Sequence, residues 1–216
     1  MRAWTAAQLR TFLTWSAGRS DELHTAWLLL AATGMRRGEA LALRWRDVDL
    51  DAGRLAVRRS VGVVKTKGAG EQFVEGPTKS GPARVVDLDA GTVAVLRSHR
   101  AAMGLVALGL IREDALVLGA LSGQYRHPER FSRTFAQRVA QCRRELGDEA
   151  LPLCRLHDLR HTHASVLLAD GVPVKVVSER LGHANATITL GVYQHVMPGM
   201  GREAADRFAV LLGGAP

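Results

Sequence analysis

The sequence predicts a mainly α-helical domain of the α+β class that contains one small antiparallel β-sheet. Apolar residues recur at helical spacing through most of the chain after Ala90. In the N-terminal third, residues 45–59 instead alternate between apolar and polar around a turn at 51–53, which is typical of a β-hairpin. A length of 216 residues, with 47% hydrophobic and 23% charged residues, suits a folded domain rather than a disordered chain.

Three helices are predicted before the first strand. Thr5 and Gln8 have the spacing of a capping box, which indicates that a helix begins at this point. A second helix is expected over about 23–32, with Gly34 as its stop signal. The short segment 37–43 has helical spacing again, and its leucines are expected to face the core.

Strands are predicted in the next segment of the chain. Residues 45–50 and 54–59 form the two arms of the predicted hairpin. Residues 61–81 are rich in glycine and lysine, so we expect a mobile loop with some edge-strand character there. Residues 84–88 alternate once more and are predicted to add a third strand.

The rest of the chain is predicted to be mostly helical. Residues 117–118 form a short apolar step that suits a strand fragment, and Pro173 breaks the chain between two helices. No linker or internal repeat divides the sequence, so we expect a single domain over 1–216, with a core over about 5–195 and a tail helix over about 200–216. The predicted helices cover approximately 90–103, 128–147, 157–169, 173–181, 186–195 and 201–212.

The charge of the chain indicates an acidic partner. The formal net charge is +8, the isoelectric point is near 10.4, and 25 of the 29 basic residues are arginine. Arginine presents a planar fork of donors that matches phosphate geometry, so nucleic acid is favoured over other acidic partners. A GC-rich genome would also raise the arginine content, although codon usage does not by itself create a net positive charge.

Secreted, membrane and fibrous classes of protein do not fit the sequence. Cys142 and Cys154 match neither a CxxC pair nor a zinc-finger spacing, which favours a reducing compartment. The longest uninterrupted apolar run, 26–32, is too short to span a bilayer. The N-terminus lacks the apolar core of a signal peptide. We therefore expect a soluble intracellular protein.

Four separated segments concentrate basic and nucleophilic side chains. In the first, Arg36 stands at the start of a short helix and Glu39 follows three residues later. In the second, Lys79 lies on a turn that leads into a strand. Taken alone, the first segment suits an ordinary capped surface helix, and the second suits a solvated hairpin lysine.

The other two segments are more specific. His157 and Arg160 are three residues apart, so both project from one helix face, and an imidazole beside a guanidinium suits an anionic phosphate. The fourth segment contains Leu181-Gly-His183, and Tyr193 lies ten residues after that histidine. An isolated tyrosine is usually a packing residue, but the chain contains only two tyrosines, and this one closely follows the histidine motif.

In this order, the four segments resemble the catalytic domain of the tyrosine recombinases, the phage integrase family. That family combines an arginine and a nearby acidic residue, a hairpin lysine, His-x-x-Arg, Leu-Gly-His and a tyrosine about ten residues later. The resemblance covers about Thr5 to Tyr193 and implies the catalytic-domain fold of the DNA breaking-rejoining enzymes. It also implies site-specific recombination of double-stranded DNA through a 3′-phosphotyrosyl intermediate, for the integration or excision of a phage or mobile element.

The resemblance implies which residues bind the scissile phosphate. Arg36 and Arg160 would bind its non-bridging oxygens, on which negative charge grows in the transition state. His183 would donate a further hydrogen bond to the phosphate. Glu39 matches the supporting acidic residue of the family and would orient a catalytic side chain.

Three further residues would attack the phosphorus or move protons. By the resemblance, Tyr193 is the nucleophile, His157 assists proton transfer at the tyrosine, and Lys79 protonates the departing 5′ oxygen. Lys65 and Lys67 lie in the same hairpin and are alternative candidates for the general acid. The segment also lacks a lysine that many relatives carry directly after its proline.

The resemblance also implies what acts together with the domain. The energy of the phosphodiester is kept in the covalent link, so neither ATP nor a metal or other cofactor is expected. The full enzyme, bacterial or phage-encoded, is expected to act in the cytoplasm, associated with the nucleoid, as a tetramer on paired DNA sites. The N-terminal DNA-binding arm domain of such enzymes is expected to be absent from this chain. The tail helix is expected to pack either on its own domain or on a neighbouring protomer.

Three alternatives are open at this point. His157 and His161 have zinc-ligand spacing on a helix, which allows a metal hydrolase, although Asp158 stands where a zincin has glutamate. A non-catalytic DNA-binding module would also explain the charge and the helices. A type IB topoisomerase uses closely similar chemistry. No chemical role is assigned to His161, His163 or His195, which we expect to pack between helices or to face DNA.

Overall fold

The computed structural model of the protein describes residues 3–66, 70–78, 83–193, 206 and 208–211. This part of the chain contains mainly helices together with two small antiparallel sheets. The predicted fold class is therefore confirmed, with two sheets where one was predicted. The helices are α1 (Ala6–Gly18), α2 (His24–Thr33), α3 (Arg37–Leu41), α4 (Ala90–Val106), α5 (Pro128–Leu146), α6 (Asp158–Ala169), α7 (Val174–Leu181) and α8 (Ala186–Tyr193), with 3-10 turns at Trp45–Asp47 and Leu108–Ile111.

The first helices follow the predicted start and stop signals. The Oγ1 of Thr5 accepts a hydrogen bond from the backbone N–H of Gln8 at 3.2 Å, and the Gln8 side chain accepts from the N–H of Thr5 at 2.9 Å. This reciprocal pair is the predicted capping box, and it starts α1. α2 ends at Gly34, whose φ of +64° turns the chain out of the helix.

A three-stranded antiparallel sheet has the order β1-β2-β5. Its strands are β1 (Val48–Asp49), β2 (Arg54–Val57) and β5 (Arg84–Asp87). β5 pairs along the whole of β2, and the buried residues Leu55 and Val86 lie opposite each other. The predicted hairpin and its third strand are thus confirmed.

The first arm of this hairpin is shorter than predicted. Residues 45–47 form a 3-10 turn, and only 48–49 pair as a strand. The cause is the buried carboxylate of Asp47, which accepts hydrogen bonds from the backbone N–H of Arg44 at 3.3 Å and from Nη1 of Arg59 at 2.6 Å. These side-chain hydrogen bonds hold the chain in a turn that the alternating pattern alone does not reveal.

The prediction of a mobile loop over 61–81 is wrong for the described residues of this segment. β3 (Arg59–Thr66) and β4 (Gly70–Pro77) form a two-stranded antiparallel sheet. β3 is rich in valine, which favours strands. Glu75 of β4 accepts a hydrogen bond from Nη2 of Arg44 at 2.9 Å, and this contact ties the hairpin to the rest of the domain.

Two hydrophobic clusters hold the helices together. The larger cluster centres on aromatic rings, among them Trp4, Phe12, Trp27, Phe131 and Phe135. The smaller cluster joins α6 and α7 through Leu168, Val177 and Leu181. Leu159 of α6 belongs to the larger cluster, so α6 connects the two. The segment that carries His157 and Arg160 therefore lies where the two clusters meet.

Three smaller observations bear on the sequence predictions. The strand fragment predicted at 117–118 is a single antiparallel bridge, formed one residue earlier between Arg44 and Leu116. Cys142 and Cys154 are both buried, and neither forms a disulfide. Within the described part of the chain, every helix is too short or too polar to cross a membrane.

Candidate active site

Arg160 of α6 is the central residue of the site. It is only 4% exposed, and its guanidinium donates from Nη1 to the carbonyl of Gly34 at 2.7 Å and from Nη2 to the carbonyl of Leu181 at 2.8 Å. Gly34 precedes Arg36 by two residues, and Leu181 precedes His183 by two residues. One guanidinium therefore fixes the relative positions of three of the four segments that the sequence singles out.

Gly34 marks the place where α2, α6 and α7 approach one another. A Cβ on this residue would lie 2.6 Å from Cδ2 of Leu181 and 2.8 Å from Cδ2 of His163. Any larger residue would push α6 and α7 away from the end of α2. The glycine therefore keeps its carbonyl within reach of Arg160.

Glu39 is a buried carboxylate held by two arginines. Its Oε1 accepts a hydrogen bond from Nη1 of Arg36 at 2.9 Å, and its Oε2 accepts from Nη2 of Arg84 at 2.7 Å. Burial raises the pKa of Glu39, but the hydrogen bonds and charges of Arg84 and Arg36 outweigh burial and hold its pKa below the usual value. The ionised carboxylate thus orients the Arg36 side chain.

Arg84, the first residue of β5, is a site residue that the sequence reasoning missed. Besides its two hydrogen bonds to Glu39, its Nε donates to the carbonyl of Arg180 at 3.0 Å. Gly182 lies directly against it: φ is +68° there, and a Cβ would be 2.8 Å from both Cδ and Nη1 of Arg84. The glycine of the Leu-Gly-His motif is therefore required by the end of α7 and by the packing of Arg84.

Removing the Arg84 side chain is expected to destabilise the fold strongly. In Arg84→Met, the buried carboxylate of Glu39 keeps its charge but loses two hydrogen bonds. Breaking one side of a buried ion pair costs about 3–5 kcal/mol. Urea denaturation at neutral pH should show a loss of this size in the free energy of unfolding, and adding Glu39→Gln should recover part of it.

The exposed ion pair between Arg54 and Asp49 provides the control for this experiment. The two charged groups are 3.8 Å apart, and both side chains are about half exposed. Arg54→Met should therefore change the free energy of unfolding by less than about 1 kcal/mol. If the Arg84 and Arg54 variants lost equal amounts of the free energy of unfolding, Arg84 would not be stabilising a buried charge.

The histidines of the site are neutral near pH 7. Burial and the positive charge of Arg160 lower the pKa of His157, and burial with the charges of Arg160 and Arg36 lowers the pKa of His183 to about 4. His157 stands immediately before α6, and its ring centroid lies 5.0 Å from that of His161.

The buried His163 and the partly exposed Arg180 form a hydrogen-bonded clasp between helices. Nδ1 of His163 lies 2.8 Å from the carbonyl oxygen of Ala31, and Nε of Arg180 donates to Nε2 of His163 at 3.1 Å. Because the carbonyl can only accept, the neutral ring carries its proton on Nδ1. The clasp joins α2, α6 and α7, so of the two expected roles for His163, packing between helices or facing DNA, the structure shows packing between helices.

The protein is expected to lose stability as the pH falls from 6.5 towards 4. Burial and the charge of Arg180 lower the pKa of His163 from 6.5 to about 4 on folding. The unfolded chain therefore binds more protons in this range, and acidification favours it. The shift corresponds to about 3 kcal/mol. In urea denaturation across this pH range, the free energy of unfolding of His163→Asn should depend less on pH than that of the parent. An unchanged dependence of the free energy of unfolding on pH would contradict the role of the clasp.

Some predicted residues lie outside the described part of the chain, namely Lys67, Lys79 and His195. Tyr193 is the last residue of α8, and its side chain lies outside the described atoms as well.

Lys65 is described: its Nζ is 2.9 Å from Glu71, the residue opposite it in the β3–β4 hairpin. That pairing raises the pKa of Lys65, which makes it a poorer proton donor. The structure brings together Arg36, Glu39, His157, Arg160 and His183.

The side chain of Asp158, which follows His157, forms hydrogen bonds at the start of α6. Its carboxylate accepts hydrogen bonds from the backbone N–H of Arg155 at 2.9 Å and from the Nε of the same residue at 3.3 Å. Across the described ranges, no group of three or more His, Cys, Asp or Glu side chains is placed to hold a metal ion.

Comparison with known proteins decides the family. A sequence profile described as the phage integrase family matches residues 3–199, nearly the whole chain. The chain belongs to the phage integrase family. The resemblance inferred from the four segments is thereby confirmed.

Relatives of this integrase-family chain carry recombinase and integrase names. A tyrosine recombinase XerC-like protein of Caldanaerobacter subterraneus subsp. tengcongensis is 30% identical over 192 residues, which cover 83% of this chain and 47% of the relative. The ICEBs1 integrase of Bacillus subtilis is 27% identical over 216 residues, which cover 98% of this chain and 55% of the relative. The chain thus spans about half the length of these curated relatives.

Solved structures confirm the predicted catalytic-domain fold. The Tn1549 transposon integrase in complex with a circular intermediate DNA aligns with a TM-score of 0.78 at 20% identity, over 95% of this chain and 65% of that one. The catalytic domain of bacteriophage HP1 integrase aligns with a TM-score of 0.62 at 21% identity, over 100% of this chain and 99% of that one.

Proposed function

We propose that this member of the phage integrase family is the catalytic domain of a site-specific recombinase that cleaves and rejoins double-stranded DNA. The observation that carries the proposal is the position of Arg160, which binds the carbonyls of Gly34 and Leu181 and so gathers the segments of Arg36 and His183. Bringing several positively charged side chains together away from solvent raises the free energy of the folded chain. A phosphate bound among them would offset that cost.

In the proposed reaction, the scissile phosphate binds between Arg36 and Arg160. His183 donates a further hydrogen bond to it. Negative charge grows on the non-bridging oxygens as the phosphorus becomes pentacoordinate, and donors already held in place stabilise that charge most effectively. Glu39 and Arg84 hold Arg36 through the contacts described above, so this donor needs little reorganisation when DNA binds.

Covalent chemistry in this proposal begins at Tyr193. Its Oη attacks the phosphorus, the bond from phosphorus to the 5′ oxygen breaks, and the protein becomes linked to the 3′ phosphate. His157, neutral near pH 7, assists removal of the tyrosine proton, and Lys79 gives a proton to the departing 5′ oxygen. Attack by the 5′-hydroxyl of a partner strand reverses these steps and rejoins the DNA. The covalent link keeps the energy of the phosphodiester, so strand transfer consumes no ATP.

We also propose that a tetramer holds two DNA sites together. The net charge of +8 suits a partner rich in phosphate. In the tail, Phe208 is 63% exposed and Leu211 is 83% exposed. Apolar side chains left in solvent favour packing on a neighbouring protomer over docking on the same domain. The DNA concerned would be a bacterial chromosome, a phage genome or a mobile element.

The test of the proposed function is capture of the covalent intermediate. The chain is incubated with a random-sequence pool of nicked duplexes, in which cleavage releases a short fragment and so traps the adduct. Denaturing gels should show protein attached to a 3′ phosphate, and the captured sites then serve as defined substrates for variants. A parent chain that forms no adduct with any member of the pool, or that attaches to a 5′ phosphate, would refute the proposal.

A further inference from the structure

Thr189 of α8 is a fully buried residue in contact with His183. It is 0% exposed, and its Oγ1 lies 2.7 Å from Nδ1 of His183. Thr189 precedes Tyr193 by four residues, about one turn of the helix. The hydroxyl therefore links the helix of the proposed nucleophile to an imidazole of the phosphate site.

The direction of this hydrogen bond follows from the surroundings of the hydroxyl. Among the residues that the structure describes, Nδ1 of His183 is the acceptor within hydrogen-bond distance of the Thr189 hydroxyl. If Nδ1 carried the ring proton, the buried hydroxyl hydrogen would lack an acceptor, which costs about 1–3 kcal/mol. The favoured arrangement has Oγ1–H donating to an unprotonated Nδ1. The neutral ring then carries its proton on Nε2.

We propose that Thr189 is a positioning residue that sets the tautomer of His183 and makes its Nε2 a hydrogen-bond donor for the scissile phosphate. The inference rests on the proposed function, in which His183 donates to that phosphate. A neutral imidazole has a single N–H, so the tautomer decides whether Nε2 donates or accepts. With the opposite tautomer, Nε2 would present a lone pair to an anionic oxygen and repel it.

The low pKa of His183 makes the tautomer matter. Burial and the neighbouring arginines lower that pKa to about 4, so the ring is neutral near pH 7 and cannot donate from both nitrogens. Within the described part of the chain, the hydrogen bond to the Thr189 hydroxyl is the one that distinguishes the two ring nitrogens of His183.

The same contact couples the nucleophile's helix to the phosphate site. α8 carries both Thr189 and Tyr193, so the hydroxyl reaches Nδ1 of His183 only when α8 is docked in the arrangement seen here. The donor form of His183 is therefore favoured when the helix of the nucleophile is in place. This arrangement would restrict phosphate activation to domains whose α8 is docked.

The first experiment measures the His183 ring directly and needs no DNA. Two-bond proton–nitrogen correlation spectra of the nitrogen-15-labelled chain at neutral pH report which nitrogen is protonated, with His183→Gln used to assign the signals. We expect an Nε2–H ring in the parent and in Thr189→Ser. In Thr189→Val, which has the same shape without the hydroxyl, part of the rings should change to the Nδ1–H tautomer, so the Nε2 resonance should move towards the higher shift of an unprotonated nitrogen.

Thr187 provides the matched control on the same helix. It is exposed, and its Oγ1 donates to the side chain of Asn185 at 2.9 Å rather than to the site. Thr187→Val should leave the His183 signals unchanged. A parent ring protonated on Nδ1, or an Nε2 resonance that does not move in Thr189→Val, would overturn the assignment of Thr189.

The second experiment measures the rate of adduct formation on sites captured with the parent. One lost donor to developing charge slows such reactions about 10²–10³-fold. Thr189→Val retains part of the donor tautomer, so we expect a loss of about tenfold or more in rate, with unchanged DNA affinity and rescue by Thr189→Ser.

Equal rates in the parent and in Thr189→Val would refute the inference while leaving the proposed function intact. A parent that shows the expected ring signals but forms no adduct would refute the proposed function instead.

Discussion

Tyr193→Phe is expected to abolish covalent attachment to DNA while leaving non-covalent binding nearly unchanged. The substitution removes only the oxygen that attacks phosphorus, and the arginines that would bind the phosphate lie on other elements, at the start of α3 and in α6. Denaturing gels with a nicked duplex should show an adduct for the parent and none above background for the variant. Gel-shift titration should give similar dissociation constants for the two.

Tyr125, the chain's other tyrosine, is the matched control. Its hydroxyl contacts Glu75 and lies 3.0 Å from Nη2 of Arg44, at the base of the β3–β4 hairpin. Burial and the carboxylate of Glu75 raise the pKa of Tyr125, so this phenol is not activated as a nucleophile. Tyr125→Phe should therefore form the adduct normally. An adduct that persists in Tyr193→Phe, or that is lost in Tyr125→Phe, would move the nucleophile away from Tyr193.

Features that depend on local chemistry could be predicted from the sequence. The capping box of Thr5 and Gln8 and the left-handed stop at Gly34 act within a few residues, so their spacing is sufficient evidence. His157 and Arg160 could be placed on one site for the same reason, because helical geometry converts a spacing of three into proximity. The family pattern then linked segments that lie far apart in the chain.

Features that depend on distant partners could not be predicted in this way. The sequence predicts a loop where the β3–β4 hairpin lies, because glycine and lysine interrupt the alternating strand pattern. The hairpin is also held by a distant contact, since Glu75 has its partner Arg44 31 residues earlier. Arg84 has no motif of its own, and its partner Glu39 is 45 residues away. Thr189 is one of several polar residues on α8, and only its burial against His183 distinguishes it.

Arg160→Lys is expected to slow DNA cleavage by about 10²–10³-fold, the usual effect of removing one donor to a transition-state oxyanion. Lysine keeps the positive charge but replaces a planar fork of donors with a single ammonium group. It cannot bind the carbonyls of Gly34 and Leu181 with the parallel geometry of the guanidinium. The variant should therefore lose both a donor at the phosphate and the bond that holds the segments of Arg36 and His183 together.

The structure also predicts a stability cost for this variant, which must be separated from the catalytic one. A buried carbonyl without its donor costs about 1–3 kcal/mol, so Arg160→Lys should unfold at lower urea concentration than the parent. Arg155→Lys is the control, because the Arg155 side chain is 85% exposed and exposed substitutions usually change stability by less than about 0.5 kcal/mol. Rates of adduct formation are then compared under conditions in which circular dichroism shows every variant folded. If the folded Arg160→Lys chain cleaves DNA at a rate within a few-fold of that of the parent, Arg160 does not act at the phosphate. Its role would then be purely structural, namely to join α2 to α7.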